Sequence, residues 1–408
     1  MTEQIQPRDR FTVGDLFSGA GGMSYGFKVH DHFQVIGAAD AQMGKPSSAI
    51  GSLACNQTYA TNINLTPQEV DLADVNPRFI RESWGIQPGQ LDVLCACPPC
   101  TGFSRTTASN HTYDDPRNSL VGRVSDFVDE LKPRIILMEN ARELAMGRQR
   151  HHLNALIADL HAAGYETHAA THFLNNFGLP QIRERALVVA VRKPLQIKTL
   201  EDLWRNYCVV PKALTVRNAI SHLPWLEAGE QDDNDPAHTA PSFRSELTFR
   251  RMKAIPQDGG SWADLVGNPT TEKLLNPAHR RIINLGKVGS HPDVYGRMWW
   301  DEPARTIKRE CAHVGNGRYS HPQQDRLCSL REMATLQGFP QGYRFQEQSL
   351  ANAYRHVGDA VPPLISYQLA WLAAWILGEK RPDAENLALE GTSLRPSDIL
   401  YCDSEDTQ

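Results

Sequence analysis

The sequence predicts an α/β fold, a mostly parallel sheet with helices on its faces, joined to a second, smaller domain. Three observations carry this expectation. Through residues 1–192, short apolar runs alternate with segments of helical character, as in a layered α/β domain. The first run leads directly into a glycine-rich turn at 18–22. Three of the runs end at or next to a chemically useful residue, namely Asp40, Cys100 and Glu139. Open α/β sheets bind ligands at the carboxyl ends of their strands.

Residues 11–13 begin the first strand. The stretch Asp15-Leu16-Phe17-Ser18-Gly19-Ala20-Gly21-Gly22 follows, with glycines that permit a tight turn and a close approach of backbone to ligand. A helix is expected after it. The spacing is not the G-x-G-x-x-G fingerprint, and no lysine occupies a P-loop position, which argues against a phosphate cradle. The second run, 34–39, ends at Asp40, where Rossmann-like folds hold a ribose hydroxyl pair. Asp71, after the short run 69–70, is placed for the adenine end of the same ligand. The amino-terminal third therefore reads as a nucleoside-cofactor site.

The run at 92–97 stops at Pro98-Pro99. Two prolines fix φ and withhold backbone donors, so the strand ends and a stiff loop carries Cys100 at the sheet edge. That position suits a nucleophile; a buried structural cysteine is the plain alternative. Cys97-Pro98-Pro99-Cys100 is also formally a C-x-x-C pair, with Cys95 nearby. A redox pair needs to open a helix and zinc needs further closely spaced ligands, so no metal is expected. The run 134–138 ends at Glu139-Asn140. Were it parallel and adjacent to the preceding strand, thiol and carboxyl would share one crevice. In 180–185, Gln181, Arg183 and Arg185 alternate, so an extended segment would project them from one face. A further apolar strand is expected at 186–191.

These motifs, with Arg331-Glu332-Met333-Ala334-Thr335-Leu336-Gln337-Gly338-Phe339-Pro340 and Gly358-Asp359-Ala360-Val361-Pro362-Pro363 behind them, occur in a fixed order through nearly the whole chain. In that order and spacing the chain resembles the DNA (cytosine-5)-methyltransferase family, of the bacterial type found in restriction–modification systems. The resemblance implies a Rossmann-like S-adenosylmethionine-dependent methyltransferase fold with a smaller target-recognition domain. It divides the chain into a catalytic and cofactor-binding domain at 1–192, a target-recognition domain at 193–330, a return to the catalytic domain at 331–378 and an acidic tail at 379–408.

It also implies roles. Cys100, Glu139, Arg183 and Arg185 would be catalytic. Phe17, Ser18, Gly19, Gly21, Gly22, Asp40, Asp71, Leu72, Pro98, Leu120, Asp359 and Ala360 would hold S-adenosylmethionine. Ser104, Asn140, Gln181 and Thr306 would meet the DNA. The Cys100 thiolate would attack carbon 6 of a flipped-out cytosine, Glu139 would meet ring nitrogen 3, and carbon 5 would take the methyl group. Four positions depart from the family pattern: Cys97 and Thr101 flank Pro-Pro-Cys in place of glycine and glutamine, Ala141 follows Glu-Asn in place of valine, and Asp359 replaces asparagine. A protonated Asp359 would imitate the missing amide.

Composition agrees. A chain of 408 residues, 41% hydrophobic, is long enough to bury two cores. The start is polar and no apolar stretch reaches spanning length, so neither a signal peptide nor a membrane anchor is expected. Eight cysteines without framework spacing suit a reducing cytoplasm. The net charge of −5 looks wrong for a DNA-binding protein until it is located. Residues 379–408 hold eight Asp or Glu against three Lys or Arg, whereas 243–331 hold fifteen Lys or Arg against nine Asp or Glu. The tail reads as disordered or lightly packed, and the basic stretch as a surface for phosphates. The expected partner is double-stranded DNA, with a cognate restriction endonuclease as a separate protein and the enzyme itself a monomer. RNA methylation by the same chemistry lacks its Cys-Phe-Thr insertion here. A catalytically silent DNA-binding module would have lost Cys100, Glu139 or Arg183.

Overall fold

The computed structural model of the protein describes residues 10–44, 49–99, 116–148, 150–288, 291–346 and 349–402. The strands in chain order are β1 (Phe11–Leu16), β2 (Phe33–Ala39), β3 (Val93–Ala96), β4 (Ile135–Ala141), β5 (Tyr165–Phe173), β6 (Gln181–Ile182), β7 (Glu184–Arg192), β8 (Tyr207–Val209), β9 (Ala304–Arg305) and β10 (Ile399–Tyr401). Six of them form one sheet in the order β2-β1-β3-β4-β7-β5. The four strands from β2 to β4 are parallel, and β3 lies directly beside β4, as the strand-end motifs require. On the other side of β4 the sheet reverses. β7 is antiparallel to both β4 and β5.

β5 escaped sequence reading. Its residues, Tyr-Glu-Thr-His-Ala-Ala-Thr-His-Phe, are only partly buried, because it is the sheet's edge and has no need of an apolar run.

Alternation along the central strands divides the core in two. Val13, Val93, Cys95, Ile135, Leu137, Leu187 and Val189 face one way, onto the helix Pro363–Leu377. Leu94, Ala96, Ile136, Met138, Val188 and Ala190 face the other, onto helices Leu120–Leu131 and Arg150–Ala162. Trp84, just past the helix Pro77–Ser83, lies flat on β1 and β2: a β-carbon at Gly14 or Gly37 would come within 2.3 Å of its indole.

The middle of the chain builds two further cores. One gathers Val216, Ala219, Met298, Ile307, Tyr319, Met333 and Tyr354; the other gathers Met252, Ile255, Trp262, Leu265 and Tyr295. Arg297, fully buried, ties this region together by donating to the carbonyls of Met252, Ile255, His321 and Gln324. Trp299 is partly exposed and is covered by the Arg318 guanidinium, 3.9 Å from its ring centroid.

Three expectations need correction. The tail is packed as far as residue 402: Leu387, Leu389, Leu394 and Ile399 are buried in the main core, and β10 pairs with β8. Its acidic residues obscured four apolar anchors. Not all cysteines are free, since Cys208 and Cys402 are joined in a disulfide at that strand pair. Finally, Leu350–Leu377 is long and apolar enough to cross a membrane, yet most of it is buried inside the protein. It is divided between helices Leu350–Asp359 and Pro363–Leu377, with the segment that ends at Pro362 between them.

Candidate active site

The cleft lies at the carboxyl ends of β1 to β4. It is a space of about 1140 Å³ that includes open solvent at its mouth. Its floor is the turn after β1. Gly21, with φ of 96°, caps the helix Gly22–Lys28, and Phe17 also takes a left-handed conformation, with φ of 59°. This turn is buttressed from far along the chain. A β-carbon at Gly22 would lie 2.3 Å from the Val361 carbonyl oxygen, Ser366 Oγ donates to the Gly22 carbonyl, and the Tyr343 hydroxyl donates to the Ala20 carbonyl.

Asp40 closes one wall. It accepts from the Gly19 amide at 2.8 Å and from the Gln42 amide. Burial pushes its carboxyl above the usual range while those two amides hold it down. Phe17, Ser18, Gly19, Gly22, Asp40, Asp71, Leu72, Pro98, Leu120, Asp359 and Ala360 all line the cleft. Gly21 does not: it sits behind the turn, against Tyr59 and Tyr343, so its conformation serves the turn.

Beneath the turn, Asp15 is fully buried and accepts from Ser24 Oγ at 2.6 Å, with Tyr59 Oη 2.7 Å from the same hydroxyl. Desolvation pushes the Asp15 carboxyl up to about 7.

Glu139 and Asn140 reach the same cleft from β4. Asn140 Nδ2 donates to the Pro98 carbonyl at 3.0 Å, and the Glu139 amide donates to Cys97 Sγ at 3.4 Å. The two strand ends are thereby joined where Pro98-Pro99 leads towards Cys100. Cys100 and Ser104 themselves lie outside the described residues. Cys95 is fully buried, and desolvation together with Asp15 raises its thiol well above the ordinary value, which leaves it inert.

The Gln-x-Arg-x-Arg segment divides its work. Arg185 Nε is 2.9 Å from Glu139 Oε1. Arg183, almost completely buried, donates to the carbonyls of Ile307, Gly358 and Ala360. Gln181, also fully buried, accepts from the Ile307 amide and donates to the Leu336 carbonyl and to Gln337 Oε1. Thr306 Oγ1 donates to the Ile182 carbonyl at 2.7 Å. Gln181, Arg183 and Thr306 thus join the middle of the chain to the sheet, and none of the three lines the cleft. The expectation that the three motif side chains project from one open face is not met: Gln181 and Arg183 are buried, and Arg185, its side chain 14% exposed, is turned to Glu139.

The family described as C-5 cytosine-specific DNA methylase matches residues 11–371. The chain belongs to this family. The methylase is 32% identical over 365 residues to Type II methylase M.HgiDII of Herpetosiphon aurantiacus, a match spanning 88% of this chain and 93% of that one. It is 28% identical to Type II methyltransferase M.AgeI of Thalassovita gelatinovora, across 87% of this chain and 97% of that one. Among solved structures it resembles a prophage-encoded E. coli protein described as a DNA modification methyltransferase, with a TM-score of 0.63 and 20% identity over 90% of this chain and 100% of that one. It also resembles the S. pombe Dnmt2 methyltransferase, with a TM-score of 0.54 and 15% identity over 91% of this chain and 100% of that one. At these identities the structural likeness is one of fold.

The methylase cleft has further walls that sequence reading did not supply. Met43, Leu53, Arg309, His356 and Val361 line it. His356 Nε2 is 3.1 Å from the Leu53 carbonyl oxygen, and Arg309 Nη1 is 3.0 Å from Asp359 Oδ2. Asp359 is therefore half of an ion pair, yet its carboxyl is still raised above the ordinary value, the direction an amide mimic requires. Burial raises its carboxyl; Arg309, His356 and Arg183 oppose that rise. Nothing local in 306–311 marks Arg309 as a cleft residue.

Proposed function

We propose that this methylase transfers a methyl group from S-adenosylmethionine to carbon 5 of a cytosine flipped out of double-stranded DNA, through a covalent adduct on Cys100. The observation that carries the reading is the shared cleft: the glycine turn, Asp40, Asp71, Pro98-Pro99 and Glu139 all line one space. The residues fit a nucleoside donor. Asp40 and Asp71 offer carboxylate acceptors for hydroxyl and amino groups, while Phe17, Leu72, Pro98 and Leu120 offer apolar contact. Ser18 Oγ is buried and has no hydrogen-bond partner among the described residues, an acceptor and donor suited to a ligand. S-adenosylmethionine, when bound, supplies an electrophilic methyl group.

The chain's own residues do the rest. The Cys100 thiolate gives its electron pair to carbon 6 of the cytosine, which leaves carbon 5 nucleophilic. Glu139, beside Arg185, shares a proton with ring nitrogen 3 and so neutralises the negative charge that develops on the ring as the adduct forms. Carbon 5 takes the methyl group as the donor's sulfur–methyl bond breaks; the carbon-5 proton then passes to solvent water, and its electron pair re-forms the ring double bond as the bond to Cys100 breaks. Asn140 keeps the Pro98 end of the nucleophile loop against β4. We read residues 193–330 as the target-recognition domain, its basic stretch meeting DNA phosphates. The setting is a restriction–modification or related methylation system in the cytoplasm, with the endonuclease on a separate chain and the methylase acting as a monomer.

The test is mechanism-based trapping. Duplex DNA carrying 5-fluorocytosine at the target should give a denaturant-resistant adduct, because fluorine cannot leave as a proton. Cys100→Ser should abolish the adduct and methyl transfer while DNA binding persists. Methyl transfer by that variant at an undiminished rate would sink the covalent mechanism.

A further inference from the structure

Away from the cleft, the helix Pro277–Asn284 has one face locked and the other bare. Asn276 caps it by accepting from the His279 amide, and Pro277 opens its first turn. On the inner face, His279 is buried and stacks on Trp262 with ring centroids 4.6 Å apart. Ile282 and Ile283 pack on the same core. On the outer face Arg280, Arg281 and Asn284 are all exposed, and their spacing of three and four sets them side by side. Leu285 and Val288 follow, 60% and 48% exposed, with an exposed Lys287 between them.

From Lys273 to Val288 the chain carries four Lys or Arg and no Asp or Glu, so these cations have no local counter-charge. The loop 227–235 in the same part of the chain holds five Asp or Glu and no Lys or Arg, and it would repel a phosphate backbone. Cations alone suit any polyanion; the residues between them narrow the choice. The major groove of DNA is about 12 Å wide and admits an α-helix, where guanidinium and amide groups pair with base edges and apolar side chains pack on the thymine methyl. Arg280 is tethered, since Nη2 donates to the Glu272 carbonyl at 3.0 Å. The side chains of Arg281 and Asn284 are not engaged by any other described residue.

We propose that the outer face of Pro277–Asn284 enters the major groove and sets which sequence is methylated. Arg281 and Asn284 read base edges, Leu285 makes the apolar contact, and Arg280 and Lys287 hold the flanking phosphates. The proposal rests on double-stranded DNA being the substrate. It narrows target recognition from the whole of 193–330 to one helix face and the turn that follows it.

Bisulfite sequencing of DNA from a methylation-free host expressing the full chain gives the target. Methylation of that duplex and of each single-base variant of it then gives a discrimination ratio at every position. Arg281→Gln and Asn284→Ala should each reduce the ratio about tenfold or more at one position and leave the others within about twofold. Lys287→Gln should weaken binding to all sequences alike and make it less steeply dependent on salt. Affinity for S-adenosylhomocysteine should stay at the wild-type value in all three variants, as expected of exposed residues outside the cleft. A uniformly lower rate with every ratio intact in both Arg281→Gln and Asn284→Ala would overturn the proposal, since a structural role alone would do that. Unchanged rates and ratios in those variants would overturn it as well. A wild-type protein that methylates no cytosine would instead overturn the activity on which the proposal stands.

Discussion

The guanidinium of Arg185 stands 2.9 Å from the carboxylate of Glu139, across the antiparallel register that sets Arg185 opposite Ala141 and Leu187 opposite Glu139. The reversal of the sheet at β7 has a chemical result: a cation is delivered to the end of a parallel strand. With Glu139 7% exposed, the pair is sheltered enough for its geometry to matter.

Glu139→Gln should lower kcat for methyl transfer by about 10²-fold or more, within the range for loss of a group that manages a proton. Arg185→Met should also lower kcat, because it leaves a buried carboxylate without its cation, while KM for DNA changes little. Single-turnover methylation of a defined duplex measures both. A Glu139→Gln variant with an undiminished single-turnover rate would remove Glu139 from the chemistry.

Asp15 gives a pH signature of stability. Its carboxyl holds a proton to about pH 7 in the folded protein and releases it near the ordinary 3.8 when unfolded. The native state therefore binds more protons between these values, and this site's contribution to stability falls as pH rises from about 4 to about 7, by up to about 1.4 kcal/mol per pH unit. Asp15→Asn keeps an acceptor for Ser24 and should flatten that decline. Urea unfolding of both proteins at intervals from pH 4 to pH 8 measures the difference; parallel curves would count against a protonated Asp15.

Glu332 behaves in the opposite sense. Its two oxygens accept from Arg326 Nη1 and Nη2 at 2.7 and 2.8 Å, all of it buried, and the pairing lowers its carboxyl from 4.5 to about 2. The stability it contributes is present above pH 4.5 and is lost as pH falls towards 2. Glu332→Gln strands a buried guanidinium and should cost about 3–5 kcal/mol. Denaturant unfolding at neutral pH checks the size, and a loss below 1 kcal/mol would mean that solvent or another group replaces the partner.

Gly37→Ala should destabilise the fold by about 1–3 kcal/mol, the usual range for overpacking, because its β-carbon would press into the Trp84 indole. Trp84→Leu should make the alanine less harmful, and a double-mutant cycle reads that coupling. Additive effects would show that the strand moves away from Trp84 instead.

Local patterns settled much of this protein in advance. Apolar runs that stop at Asp40 and at Pro98-Pro99 mark strand ends wherever they fold, since proline removes backbone donors, whereas β4 continues through Glu139 to Ala141 because β7 pairs with it that far. The glycines at 19, 21 and 22 announce a turn for a local reason too. Other features depended on through-space packing, which leaves no local trace. Gly44 and Arg309 are 265 positions apart, and no periodicity in either neighbourhood points to the other. The antiparallel register that pairs Arg185 with Glu139 is chosen by the whole sheet. Gln181 looked like a side chain available to substrate until the segments around Ile307 and Gln337 folded over it. The tail looked polar until its four apolar anchors found the main core. Sequence by itself determined which residues lie at the strand ends and hence the chemistry available; only the tertiary structure decided which charges meet, because Coulomb contacts and desolvation depend on distances that folding alone creates.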